Sequence, residues 1–244
     1  MRLIVTRPDP DCARTATALE ALGHTAILSP ALDIVLDPAA PLPDGPFQAL
    51  LVTSSNAVRA LAAHPAAKPL HLLPLLAVGD RSALEARRAG FLAASSAGGA
   101  VADLLAMVTS QLQPARGPLL YLAGDIRAGD IAGELGDAGF RIETAVLYRS
   151  VPRPRMSLPA SVALVTGTAD GILLYSRASA AAFADAVRAA SLAPLPAAVA
   201  AFCLSSACSE PLRDAMAGPI LVADTPDQLS LFAAIERYGS EAGR

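Results

Sequence analysis

One short phrase occurs twice in this chain, as Leu51-Val52-Thr53-Ser54-Ser55-Asn56-Ala57-Val58 and as Leu173-Leu174-Tyr175-Ser176-Arg177-Ala178-Ser179-Ala180. Each copy is an apolar run that stops at a small hydroxyl residue and then turns amphipathic. That is the pattern of a buried strand ending at the N-terminus of a helix. Such a junction presents backbone N–H groups and a hydroxyl to whatever lies above it, and these donors suit an anionic ligand. Two copies imply two halves built alike.

Around the repeat, apolar runs alternate with helical patterns almost throughout, the signature of parallel sheets covered by helices on both faces. Strands are predicted at Arg2–Thr6, Thr25–Ser29, Ala49–Thr53, Leu75–Gly79, Phe91–Ala94, Leu119–Ala123, Arg141–Val146, Ile172–Ser176, Val199–Leu204 and Ile220–Ala223, enough for two five-stranded sheets. Helices are predicted at Asp11–Leu22, Asn56–Ala63, Asp80–Ala89, Val101–Leu112, Ile126–Ala138, Ala178–Ala190, Ser206–Ala217 and Pro226–Tyr238, with a further one from Leu158 toward Gly167.

The second copy of the repeat lacks an opening strand-helix-strand of its own, whereas the N-terminal residues have no sheet to join. Combining the two gives a discontinuous first domain, residues 1–31 plus 152–244, with a second domain, residues 37–146, inserted in it. The chain then crosses twice, at residues 32–36 and 147–151, where alternating patterns suit a short antiparallel ribbon. A two-stranded ribbon is marginal by itself and should act as a hinge. The predicted fold class is therefore α/β, two doubly wound parallel-sheet domains joined by a two-stranded β-ribbon hinge.

Composition narrows the function. With 19 Lys+Arg against 22 Asp+Glu, the net charge of −3 offers no broad basic face for nucleic acid or an anionic membrane. The apolar opening is cut short by Arg7 and Pro8, too early for a signal peptide, and no segment reaches the roughly 18 consecutive apolar residues of a spanning helix. A cytoplasmic location is predicted. Cys12, Cys203 and Cys208 have neither an even count nor a CxxC spacing, so they are read as reduced core residues and not as a disulfide framework or zinc site. His24, His64 and His71 are scattered and read as surface or loop residues. No metal site is predicted.

In doubly wound domains the binding crevice lies beyond the carboxyl ends of the strands. The residues there are Thr6-Arg7, Thr53-Ser54-Ser55-Asn56, Gly79-Asp80-Arg81-Ser82, Gly124-Asp125-Ile126-Arg127, Ser176-Arg177 and Leu204-Ser205-Ser206. They contain no Gly-rich dinucleotide fingerprint, no Walker loop, no nucleophile elbow and no acidic metal cluster. Hydroxyls, helix N-termini and a few arginines make a carboxylate or phosphate cradle instead. A Ser or Thr at such a junction is, taken singly, most often only a helix cap. The repetition is what favours a site. Two readings remain at this level: an enzyme acting on a polyanion, or a non-catalytic two-domain binding module for a polycarboxylate ligand.

The phrases Val52-Thr53-Ser54-Ser55-Asn56-Ala57-Val58, Ala77-Val78-Gly79-Asp80-Arg81-Ser82-Ala83, Leu122-Ala123-Gly124-Asp125-Ile126-Arg127, Val146-Leu147-Tyr148-Arg149 and Thr225-Pro226-Asp227-Gln228-Leu229, with the opening Val5-Thr6-Arg7-Pro8, follow one another along nearly the whole chain. In that order and spacing they resemble the uroporphyrinogen-III synthase family. The resemblance implies two α/β domains, the first discontinuous, and a cyclising lyase of tetrapyrrole and heme biosynthesis. Its substrate, hydroxymethylbilane, is a linear tetrapyrrole with eight carboxylates. It is closed with loss of water and inversion of ring D to give uroporphyrinogen III.

A donor-lined interdomain cleft would be the receptor. No cofactor is implied, and the chain is expected to be a monomer in transient contact with hydroxymethylbilane synthase. By the same resemblance Tyr148 matches the tyrosine that assists departure of the hydroxyl. Thr53, Ser54, Ser82, Ser176 and Ser205 match positions that place hydroxyls or backbone amides against the substrate. Ser55, Gly79 and Gly124 lie at the same strand ends, and Arg7, Arg127 and Arg177 are candidates for carboxylate pairing. Asp80 and Asp125 would repel a polycarboxylate, so they are expected to turn away or to cap helices.

Overall fold

The computed structural model describes residues 1–127 and 129–241. The expected helix Ile126–Ala138 and the end of the expected first domain, residues 242–244, thus fall partly outside the described residues. The chain divides into two compact units, one of Met1–Asp33 resuming at Val151, the other of Ile34–Ser150.

In the first unit, strands β1 (Arg2–Val5), β2 (Thr25–Leu28) and, far along the chain, β9 (Gly171–Leu174), β10 (Ala200–Cys203) and β11 (Ile220–Val222) form one sheet in the order β11-β10-β9-β1-β2. Each strand pairs parallel with its neighbours. The strand order reverses between β1 and β9. Both sheet faces are buried: Ile4, Ile172, Leu174 and Ala201 pack on one side, and Leu3, Val5, Leu173 and Phe202 on the other. This two-sided burial is why these strands read as unbroken apolar runs.

The second unit holds β3 (Leu32–Leu36), β4 (Ala49–Val52), β5 (Leu75–Ala77), β6 (Ala94–Ser96), β7 (Leu119–Gly124) and β8 (Ile142–Pro152), in the order β3-β8-β7-β4-β5-β6. Here the order reverses between β4 and β7. The two crossing segments pair with each other as expected, β3 beside β8, but as part of the second sheet and not as a ribbon of their own. Residues 32–36 become the edge strand of this sheet, and residues 147–151 continue β8, so the sheet has six strands where five were expected.

Helices α1 (Asp11–Glu20), α2 (Ser55–Ala62), α3 (Asp80–Arg88), α4 (Val101–Gln111), α5 (Ile131–Asp137), α6 (Leu158–Val165), α7 (Arg177–Ala189), α8 (Ser206–Ser209) and α9 (Gln228–Glu241) cover the sheets. Serine hydroxyls start three of them: Ser54 accepts from the N–H of Asn56, Ser157 from Ala160 and Ser176 from Ser179. Asp130 starts α5 by accepting from the N–H of Gly133.

Three departures from the sequence pattern have local causes. Phe91 is not a strand residue: Gly90 takes a left-handed conformation, φ 99°, and the Phe91 N–H donates to Ala86 O, closing a Schellman motif on α3. Phe91 is thereby driven into the core against His71, and the strand begins later, at Ala94. Helix α5 starts at Ile131, because Asp130 caps it there. Helix α8 is a single turn followed by a 3-10 turn over Glu210–Leu212, since Leu195 takes backbone bonds with Ala215 and Ala217 and draws the segment away.

His64 is a loop residue, as the sequence suggests, but the loop is packed. His64 is buried; its Nε2–H donates to Ala40 O at 2.9 Å and its Nδ1 accepts from the Ala66 N–H at 3.1 Å, tying a loop together. The three cysteines are free and buried. Among the described residues, no helix is long and apolar enough to cross a membrane. No group of three His, Cys, Asp or Glu among them is placed to hold a metal ion.

Candidate active site

In each unit the carboxyl ends of the strands flanking the reversal carry the predicted residues, where open α/β sheets bind ligands. In the second unit these ends are Thr53-Ser54 after β4 and Gly124 closing β7, with Tyr148 beside it on β8. Thr53 Oγ1 lies 3.4 Å from the Tyr121 hydroxyl. Ser54 Oγ accepts from the Asn56 N–H at 3.1 Å, and its hydroxyl lies near enough to the Tyr148 phenol to act on its titration.

Tyr148 reaches this position because β8 is irregular. Ala123 pairs with Val146, but the next residue, Gly124, pairs with Tyr148, so β8 carries one extra residue. Strict alternation would set Tyr148 on the face opposite Ala145 and Leu147. The bulge instead places Leu147 and Tyr148 in one core with Leu50, Val52, Leu120 and Leu122. Backbone bonds hold the bulge: the Asp125 N–H donates to Tyr148 O at 3.1 Å, and the Ser150 N–H to Asp125 Oδ1 at 3.0 Å.

The Asp125 carboxylate also accepts from its neighbour Ile126, so it serves the bulge and is not a helix cap. Asp80 is exposed at the start of α3, where Gly79 occupies the cap position. Tyr148 is 7% exposed, so its ring is packed. Burial pushes its phenol above the ordinary value of 10.0, and the Ser54 hydroxyl works in the opposite direction. At neutral pH the group is a neutral donor.

The other second-unit candidates are placed differently. Ser55 and Ser82 are buried and face each other, oxygen to oxygen, at 3.4 Å. Arg127 is exposed in the loop before α5.

In the first unit, Arg7 follows β1 with its guanidinium 4.2 Å from the centre of the Tyr175 ring. Arg7 and the Tyr175 hydroxyl both donate to Gln228 Oε1 at 3.5 Å, and Arg7 also lies 3.5 Å from Asp11. Ser176 donates to Ser179 Oγ at 3.0 Å besides capping α7. Arg177 is exposed and paired with Glu210 at 3.2 Å. Ser205 precedes α8 with its oxygen 3.4 Å from Cys208 sulfur.

Tyr121, Tyr175 and Gln228 take part in these contacts and are not among the site residues the sequence predicts. A tyrosine inside an apolar strand is a usable signal, since its hydroxyl needs a partner.

A model of the family described as Uroporphyrinogen-III synthase HemD matches residues 13–233. The chain belongs to the uroporphyrinogen-III synthase family. The fold agrees with solved structures. Uroporphyrinogen-III synthetase from Helicobacter pylori 26695 superposes with a TM-score of 0.64 at 18% identity, over 98% of this chain and 100% of that one. A mutant uroporphyrinogen III synthase from the extremely thermophilic bacterium Thermus thermophilus gives 0.58 at 18% identity, over 99% of each chain. No curated protein matches the chain. Membership of the uroporphyrinogen-III synthase family makes the chain a cyclising lyase of tetrapyrrole biosynthesis and sets aside the non-catalytic module.

Proposed function

We propose that this chain closes hydroxymethylbilane to uroporphyrinogen III with Tyr148 as the residue that assists the leaving hydroxyl. One observation carries this assignment of the residue. A bulge in β8 brings the neutral Tyr148 phenol, beside the Ser54 hydroxyl, to the strand ends where the sheet order reverses. The reaction needs little more acid-base machinery than that. As the C–O bond breaks, the departing oxygen takes a proton and leaves as water, and a delocalised azafulvenium cation remains. Attack on it by the substituted carbon of ring D gives a spiro intermediate; the old bond from that carbon to its methylene bridge then breaks, and the freed bridge cation bonds to the unsubstituted alpha carbon of ring D, which inverts the ring. Closure then releases a proton from the newly bonded ring carbon, so the cycle is proton-neutral. A phenol that stays neutral supplies a hydrogen bond to the leaving oxygen without adding negative charge near a substrate carrying many carboxylates.

The substrate carboxylates are assigned to donors at the strand ends of each unit: Thr53, Ser54, Gly79, Arg127 and the α2 and α3 N-termini in one, Arg7, Ser176, Arg177 and Ser205 in the other. Hydrogen bonds to charged groups contribute about 1.5–3 kcal/mol each, more than a helix terminus alone at about 0.3–1 kcal/mol. Ser55 and Ser82, bonded to each other, are assigned to holding α2 against α3. On this reading the chain works as a cytoplasmic monomer and receives its substrate from hydroxymethylbilane synthase.

The test supplies purified protein with enzymatically made hydroxymethylbilane and resolves the isomers after oxidation. Uroporphyrin III is expected. Uroporphyrin I alone, or bilane retained unchanged on the protein, would reject the assignment.

A further inference from the structure

We infer that Gly124 is a positioning residue, the bare seat over which the Tyr148 ring crosses β7 to reach Ser54. The inference rests on the reading of Tyr148 as the group that assists the leaving hydroxyl.

Topology sets the problem. The strands lie in the order β8-β7-β4, so β7 lies between Tyr148 on β8 and Ser54, which follows β4. With about 4.8 Å between adjacent strands, a side chain from β8 meets Ser54 only by lying across β7. On β7 the face in question is occupied by Leu120 and Leu122, and position 124 is next in that alternating series. A Cβ at position 124 would stand 2.5 Å from Tyr148 Cζ, 2.6 Å from Cε2 and 2.9 Å from the hydroxyl oxygen. Those contacts are with the outer half of the ring, the part that carries the chemistry.

Backbone conformation is not the reason for glycine here, because Gly124 does not take a positive φ. The requirement is space. Nor can the backbone readily yield, since the Gly124–Tyr148 pairing and the two bonds at Asp125 fix the chain on both sides of the ring. A methyl group at position 124 therefore acts on the ring. It swings the phenol off Ser54 and turns it from the strand ends.

The test compares Gly124→Ala, Tyr148→Phe and the double variant. We expect Gly124→Ala to lower kcat by about 10²-fold, as removal of a positioned proton donor does, with KM within about twofold of wild type. The double variant should be no slower than Tyr148→Phe, because both changes remove the same hydroxyl from its position. An activity-independent readout accompanies this: phenolate absorbance followed to high pH, with Tyr148 isolated by subtracting Tyr148→Phe. Gly124→Ala should shift that titration from its wild-type position, because burial of the ring and the influence of Ser54, which act on it in opposite directions, both change when the ring leaves its seat.

Unchanged kcat with an unchanged Tyr148 titration would overturn the inference, as would fully additive losses in the double variant. Full activity in Tyr148→Phe would reject the catalytic reading alone, and the titration would still decide whether Gly124 seats the ring. If Gly124→Ala folds poorly, Tyr148→Ala supplies the control. With the ring gone, adding Gly124→Ala should cost no further stability, and a persistent loss would place the clash elsewhere and refute the seat.

Discussion

Ser54 has two tasks, and replacing it by alanine separates them. Its oxygen accepts from the Asn56 N–H at 3.1 Å as the cap of α2, and its hydroxyl lies beside the buried Tyr148 phenol and acts on its titration. Loss of a serine cap costs about 1 kcal/mol. Leaving a buried hydroxyl without its partner adds about 1–3 kcal/mol. Ser54→Ala should therefore cost about 2–4 kcal/mol in total. Ser176→Ala is the internal reference, since Ser176 caps α7 through the Ser179 N–H at 3.1 Å and its other bond is to a neighbour on the same helix. It should cost about 1 kcal/mol.

The decisive measurement is a double-mutant cycle of Ser54→Ala with Tyr148→Phe, read by urea unfolding with the m-value monitored. In the Tyr148→Phe background no phenol is stranded, so Ser54→Ala falls back to the cost of a cap alone. The two losses should miss additivity by about 1 kcal/mol or more. Additivity within about 0.3 kcal/mol, with Ser54→Ala no costlier than Ser176→Ala, would refute the link between the α2 cap and the phenol. The geometry argued for the site would fall with it.

Two further outcomes are expected. Tyr148→Phe should slow turnover while leaving the far-ultraviolet circular dichroism unchanged, and kinetics equal to wild type would remove the residue from the mechanism. Burial pushes the Cys12 thiol up from 9.0 to about 11, with Asp9 adding to it, and Cys203 up to about 12, with Cys208 adding to it. At about pH 8 the native Cys203 thiolate is scarcer than an ordinary one by about 10³, and iodoacetamide should label it correspondingly slowly until urea is added. The native state keeps these protons longer than the unfolded chain. Their stabilisation is thus complete below the ordinary thiol value of 9.0 and lost as pH rises through about 11 to about 12. Labelling of Cys203 at equal rates in folded and unfolded protein would contradict this.

What the amino-acid sequence determined by itself is whatever acts within a few residues along the chain. The doubled strand-to-helix junction, the caps at Ser54 and Ser176, and the unbroken apolar runs of β4, β7 and β9 follow from local capping and two-sided burial. These are enough to specify parallel α/β sheets. The same locality explains the misreadings: Phe91 looks like a strand residue until the left-handed Gly90 folds it back beneath α3, and α5 looks longer until Asp130 is seen to cap it.

Register between distant segments was decided only in the tertiary structure. In sequence Gly124 follows the apolar run Leu119–Ala123 and Tyr148 lies in the crossing segment 147–151, and nothing near either of them encodes a bulge. Pairing of β7 with β8 skips Leu147, turns the phenol onto the face it shares with Leu122, and converts an ordinary glycine into the space the ring requires. A hydroxyl position set by three strands is a property of their packing, because hydrogen-bond ladders fix side-chain direction only after the strands have met.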